Sequence, residues 1–201
     1  MKNLIAFTFF ILSTTVVLAQ EKIKLVQLDP VNKNDILTEG NAIIYGNFIQ
    51  RLGFSSGGFP QDMRVYNKAT DTYYRFRVKA TMTSKKESNF VFHIPPGDYE
   101  IFQYWWTQSN AFGGTFYTEP VFKHTDSYEE TITMLESGQL KEEELERFKF
   151  IIEPNSVNYL GTWNFDKEVA VFTNDKKSID QKLIKKYKKI SLQNSTINIP
   201  Q

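Results

Sequence analysis

The sequence predicts a mainly β protein, an antiparallel β-sandwich followed by a C-terminal α-helix. Three observations predict it. Long stretches alternate apolar and polar residues with a period of two, the mark of strands with one buried face. Residues 90–106, FVFHIPPGDYEIFQYWW, join two such runs through a corner, Pro95-Pro96-Gly97-Asp98. One stretch, 179–189, has a clear helical period and lies near the end of the chain.

The elements follow in order. Met1-Lys2-Asn3 is a short basic start, and an apolar run over 4–18 is broken only by Thr and Ser. Val17 and Ala19 occupy the small −3 and −1 positions of a cleavage site, so 1–19 reads as a secretory signal peptide. That run of roughly 15 residues falls short of the roughly 20 that a spanning helix needs. The expected mature domain is 20–201. Its first strand is 23–28, and a polar, turn-rich stretch fills 30–40. The second strand is 42–52, with Ile43, Tyr45, Asn47 and Ile49 on one face, and 53–61 is a loop. Strands 63–67 and 73–80 form a hairpin across 68–72. Tyr74, Phe76, Val78 and Ala80 should face inward, and Tyr73, Arg75, Arg77 and Lys79 outward.

A polar loop, 81–88, leads to the corner. Phe90, Phe92 and Ile94 alternate with Val91 and His93. Pro95 and Pro96 cannot donate to a ladder, so pairing stops there, and Gly97 supplies a positive φ. In the following strand Tyr99, Ile101, Gln103 and Trp105 share one face, and Glu100, Phe102, Tyr104 and Trp106 the other. Aromatic residues on both faces near its end predict a central strand or a covered tip.

After a turn over 107–114 comes a strand at 115–123, interrupted at Pro120. Residues 126–147 hold eight acidic residues against two basic ones, with a short helix expected at 141–146. Strand 148–152 and the turn 153–156 lead into a strand whose Val157, Tyr159, Gly161, Trp163 and Phe165 share a face. A hairpin across Asp166-Lys167 then leads to 168–173. In the helix 179–189, Ser178 is the expected cap and Gln181 completes a capping box. Ile179, Leu183, Tyr187 and Ile190 form its apolar stripe, flanked by Ile184. The tail, 191–201, is polar and either adds an edge strand or stays loose.

The strand, Pro-Pro-Gly-Asp-Tyr and second strand around Pro95 resemble the corner of transthyretin-like sandwiches, including carboxypeptidase regulatory-like domains. The stretch Pro154-Asn155-Ser156 followed by Tyr159-Leu160-Gly161-Thr162-Trp163 resembles the late strands of small uncharacterised exported bacterial sandwich proteins. The resemblance implies a transthyretin- or immunoglobulin-like sandwich. Such domains serve as linkers, accessory modules and binding modules, and fold alone does not choose among these roles.

The chain has no cysteine. This closes the bacterial lipid-anchor route, disulfides, cysteine-held metals and thiol nucleophiles. Loss of Lys2 with the signal leaves 23 basic and 23 acidic residues, which argues against a general polyanion binder such as a nucleic-acid protein. The two histidines, His93 and His124, form neither a metal site nor a triad, although His124 and Asp126 make an H-x-D pair. There is no G-x-S-x-G, H-E-x-x-H or P-loop. No cofactor and no enzymatic activity are therefore expected.

Aromatic residues make up 15% of the chain. Trp105, Trp106, Asn110, Phe112 and Tyr117, with Phe116, cluster in one strand–loop–strand unit. They form either a stacking platform for a sugar or peptide or the filling of a sandwich core. The lysines at 176, 177, 182, 185, 186, 188 and 189 make the last helix basic. That face is either a dock for an anionic membrane or acidic partner, or a solvated face with the acidic run as its counterpart. The expected role is non-enzymatic, binding or structural, at the cell envelope in the periplasm or outside the cell. An envelope protein or glycan is the expected partner. The alternatives are a carbohydrate or peptide binding module using the aromatic surface, and a hydrolase whose carboxylates meet only in the fold.

Overall fold

At the Pro95-Pro96-Gly97 corner the chain leaves one β-sheet and enters another. The computed structural model describes residues 23–51, 59–80, 85–110, 113–125, 127–167 and 169–201; the expected signal peptide lies outside them. Their strands are β1 (Leu25–Gln27), β2 (Ala42–Ile49), β3 (Gln61–Asn67), β4 (Thr72–Lys79), β5 (Glu87–Ile94), β6 (Gly97–Asn110) and β7 (Gly113–Pro120). Helix α1 (Tyr128–Glu136), β8 (Lys149–Ile152), β9 (Val157–Asn164), β10 (Val171–Thr173), α2 (Lys176–Leu183) and β11 (Thr196–Ile197) follow.

The first sheet has the order β1-β4-β3-β6-β7, with β8 also on β6. The second has the order β10-β9-β2-β5, with β11 also on β9. The protein is mainly β, as expected, but its sheets are mixed and not purely antiparallel. The β1–β4, β2–β9 and β9–β11 pairs run parallel. Parallel neighbours need a long crossover, and β2 and β9 are far apart in the chain.

The sheets share one core. Ile44, Phe48, Phe90, Phe92 and Trp163 of the second sheet belong to the same buried cluster as Met63, Val65, Phe76, Ile101 and Tyr104 of the first. Phe76, Phe90 and Trp163 meet at tilted or edge-on angles with centroids 5.4–5.8 Å apart, the geometry that ring quadrupoles favour. The buried Trp163 Nε1–H donates to Leu160 O at 2.7 Å.

The corner is built as its residues predict. Gly97 has φ +147°, and a Cβ there would lie 2.5 Å from Asn67 Nδ2. Asn67 is fully buried, and its Oδ1 accepts the Ala69 N–H at 2.9 Å. Tyr99 O–H closes the corner on Pro95 O at 2.7 Å.

Two bulges overturn parts of the expected alternation. Opposite the Gln61–Asp62 step, Lys79 pairs with Gln61 and Arg77 with Asp62, so Val78 is the extra residue. Lys79 is therefore buried and Ala80 exposed, the reverse of their expected facing. Lys79 Nζ donates to Phe59 O at 2.6 Å, and burial lowers its pKa. In β6 the register shifts at Phe102, between Arg64↔Gln103 and Val65↔Ile101. Tyr99 and Ile101 face the core before this bulge, and Tyr104 and Trp106 after it. The strand is central, with β3 on one side and β7 and β8 on the other.

The helices also differ from expectation. The acidic stretch forms α1, and the helix expected at 141–146 is only a 3-10 turn, Glu142–Glu144. Ser127 caps α1 by accepting the Glu130 N–H at 3.4 Å, so the S-x-x-E spacing was its sequence signal. Helix α2 starts earlier than 179 and ends earlier than 189. Asp175 is its N-cap residue and makes no side-chain capping bond. The chain then continues as turns, with Tyr187 N–H on Leu183 O and Ile190 N–H on Tyr187 O. The apolar stripe survives this change. Ile179, Leu183, Tyr187 and Ile190 are buried with Ile43, Tyr45, Val91 and Tyr159 on the outer face of the second sheet. Among the described residues, no helix is long and apolar enough to cross a membrane.

Candidate ligand-binding surface

The β6–β7 hairpin pairs Trp105 with Thr118 and Trp106 with Tyr117. Neighbours on a strand point to opposite faces, so the two tryptophans part company. The expected aromatic cluster is therefore divided between both sides of the first sheet. Phe112 and the side chain of Asn110 lie outside the described residues.

Trp106 faces inward and is only 6% exposed. Its Nε1–H donates to Glu119 Oε1 at 2.8 Å, and Arg51 Nη1 donates to the same oxygen at 2.8 Å. The Tyr117 ring stacks on Trp106 with centroids 4.4 Å apart and planes 16° apart. Tyr117 O–H reaches Gln108 Oε1 at 3.3 Å. Burial raises the Glu119 pKa, and the Arg51 charge partly opposes that shift. A cleft of about 380 Å³ opens beside this stack, lined by Arg51, Gln108, Tyr117, Glu119, Ser127 and Glu129.

Trp105 faces outward and stacks on Phe116, with centroids 5.5 Å and planes 17° apart. Phe116 is 62% exposed. Next to this pair runs a row of arginines. Across the strands Trp105 is level with Asp62 and Arg77, and Gln103 is level with Arg64 and Arg75. Arg77 binds Asp62 through Nε and Nη2, and Arg75 Nη1 lies 4.0 Å from the same carboxylate. Arg64 Nη1 donates to Gln103 Oε1 at 2.9 Å. The Nε–H groups of Arg64 and Arg75 are shielded from solvent and have no acceptor among the described residues. Burial lowers the Arg64 pKa; the nearby Asp62 carboxylate opposes this, and the Arg75 charge adds to it. On the far side of the row, Tyr73 meets Tyr66 at 4.6 Å and Phe102 at 4.9 Å. The Arg147 guanidinium lies over the Phe102 ring at 4.8 Å.

The sequence reading missed this row. The outward positions of Arg75 and Arg77 were legible from alternation, but the meeting of Arg64 with Arg75 depends on strand register.

Of the histidines, His93 Nε2 lies 3.3 Å from Asp35 Oδ2. Asp35 is held below the ordinary carboxylate pKa, first by the Asn32 backbone N–H and then by His93. Asp126 of the H-x-D pair lies outside the described residues. Among the described residues no group of three or more His, Cys, Asp or Glu is arranged to hold a metal. Lys176 pairs with Asp180 at 2.6 Å and Lys182 lies 3.9 Å from Glu87. Glu146 pairs with Lys123, and Glu142 with Arg147. The ion pairs seen among the described residues do not join the acidic run to the basic helix.

No family model matches the chain, and no curated protein matches it. Among solved structures, a leucine-rich repeat protein from Bacteroides thetaiotaomicron VPI-5482 is similar at a TM-score of 0.34 and 13% identity. That similarity covers 74% of this chain and 16% of the other.

Proposed function

We propose that this chain is an exported, non-enzymatic binding protein of the cell envelope that holds a glycan on the aromatic surface of its β6–β7 hairpin. The observation that carries the reading is the outward stack of Trp105 on Phe116, which is 62% exposed, while Trp106–Tyr117 stacks on the opposite face beside a cleft. Exposed flat rings such as Phe116 match the apolar faces of sugar rings, and a polar rim orients the hydroxyls. A transthyretin-like sandwich is the proposed fold type. It is supported by the Pro-Pro-Gly corner between sheets and by the core those sheets share. The hydrolase alternative has weaker support. Glu119 and Glu129 line one cleft, but Glu119 Oε1 is already engaged by Arg51 and Trp106.

Affinity electrophoresis through gels containing soluble polysaccharides tests the binding role. At least one polysaccharide should retard the protein, and Trp105→Ala should abolish the retardation. Equal mobility in every gel would overturn the reading. Export rests on the Lys2, apolar run and Val17/Ala19 pattern. N-terminal sequencing of the protein recovered from outside the cytoplasm should begin at or near Gln20, and an intact Met1 there would refute it.

A further inference from the structure

We infer that the ligand of the outer aromatic face is an anionic glycan, whose carboxylate or sulfate groups are held by Arg64, Arg75 and Arg77 while its sugar rings lie on Trp105 and Phe116. This rests on the glycan reading above and names the class of glycan.

Arg64 and Arg75 sit directly opposite each other on paired strands. Like charges in that position destabilise a sheet, so the pairing works against stability unless an anion is shared between them. The row holds three guanidinium groups against one carboxylate, Asp62, and Arg77 already grips that carboxylate with two nitrogens. The next carboxylate along the sheet, Glu100, is taken by Lys68 at 2.7 Å and Lys149 at 3.6 Å. Arginine is suited to this task, since its planar fork binds carboxylate or sulfate oxygens in pairs. The side chains of Arg75 and Arg77 are 43% and 37% exposed, so their free donors are open to a ligand.

Shape decides between classes of anion. The row is flanked by Trp105–Phe116 on one side and Tyr66, Tyr73 and Phe102 on the other. This surface lies along the strands of an open sheet, so it suits an extended polymer that alternates flat rings with charged groups. The overall balance of 23 basic and 23 acidic residues in 20–201 gives no general attraction to polyanions, so the recognition is carried by local patches such as this row.

The test compares polygalacturonate, heparin, dextran and polyglutamate by titration calorimetry on the full mature chain. Polygalacturonate, heparin or both should bind at least about tenfold more tightly than neutral dextran, and added salt should weaken that binding. Polygalacturonate carries carboxylates alone and heparin both carboxylates and sulfates, so binding to heparin without polygalacturonate assigns the sulfate. Arg64→Gln with Arg75→Gln should lower affinity for the anionic glycan at least about tenfold, and the double Lys variant should lower it less, because charge without the planar fork is kept. Arg75→Gln alone, at a half-exposed site, carries the same test if the double variant is poorly folded. Dextran binding as tight as that of the anionic glycans overturns the inference and leaves the glycan reading in place. Tighter binding to polyglutamate overturns it in favour of an acidic polypeptide. Binding to none of the glycans overturns both.

Discussion

The outer faces of the two sheets are opposites. That of the second sheet presents Ile43, Tyr45, Val91 and Tyr159, and the C-terminal segment covers it with Ile179, Leu183, Tyr187 and Ile190. That of the first presents Arg64, Arg75, Arg77, Trp105 and Phe116, and Phe116 stays mostly exposed. The polar groups differ in the same way. On the covered face Tyr45 O–H donates to Asp180 Oδ1 at 2.6 Å and meets Ser195 Oγ at 2.7 Å, while Lys176 Nζ binds Asp180 Oδ2 and Leu192 O. On the open face, among the described residues, three guanidinium groups face one carboxylate, Asp62. An apolar outer face is completed by the chain itself, whereas a face rich in unmatched donors and rings is suited to a ligand.

The largest test of this contrast is Leu183→Ala. It removes a buried side chain from the cover and should cost about 2–5 kcal/mol in urea denaturation. A cost near zero would mean that the C-terminal segment is not what covers the second sheet.

Tyr45→Phe should cost about 1.5–3 kcal/mol, since it deletes a hydrogen bond to a charged carboxylate. The same residue links stability to pH. Burial raises the Tyr45 pKa, with Asp180 adding to it, and burial raises those of Tyr99 and Tyr104. A raised folded pKa means that the contribution is intact below the unfolded value of about 10 and is lost as pH climbs beyond it. Thermal melts should therefore fall steeply above about pH 10, and less steeply in Tyr45→Phe. Parallel profiles for the two proteins would remove Tyr45 from this account.

Gly97→Val strains the link between the sheets. It places a branched side chain at φ +147° against Asn67, and should cost more than about 1 kcal/mol. Equal urea midpoints and slopes for the two proteins would count against the corner.

The smallest effects belong to the open face and the solvated lysines. Arg75→Gln and Lys185→Ala should each change stability by under about 0.5 kcal/mol, as surface substitutions usually do. A loss of several kcal/mol in Arg75→Gln would make the arginine row a structural brace and not a ligand surface.

Much of this contrast was present in the sequence alone. Strand positions followed from alternation, the corner from Pro95-Pro96-Gly97, and the buried stripe from the four-residue spacing of Ile179, Leu183 and Tyr187. These are local properties, written in residues a few positions apart. The tertiary structure alone decided the rest. The bulges at Val78 and Phe102 reversed the facing of Lys79 and Ala80 and sent Trp105 outward while Trp106 went to the core. Pairing of β3 with β4 brought Arg64 beside Arg75, and the parallel pairing of β2 with β9 made the second sheet mixed. Register and bulges are set by the partner strand, which the period of a single strand does not encode.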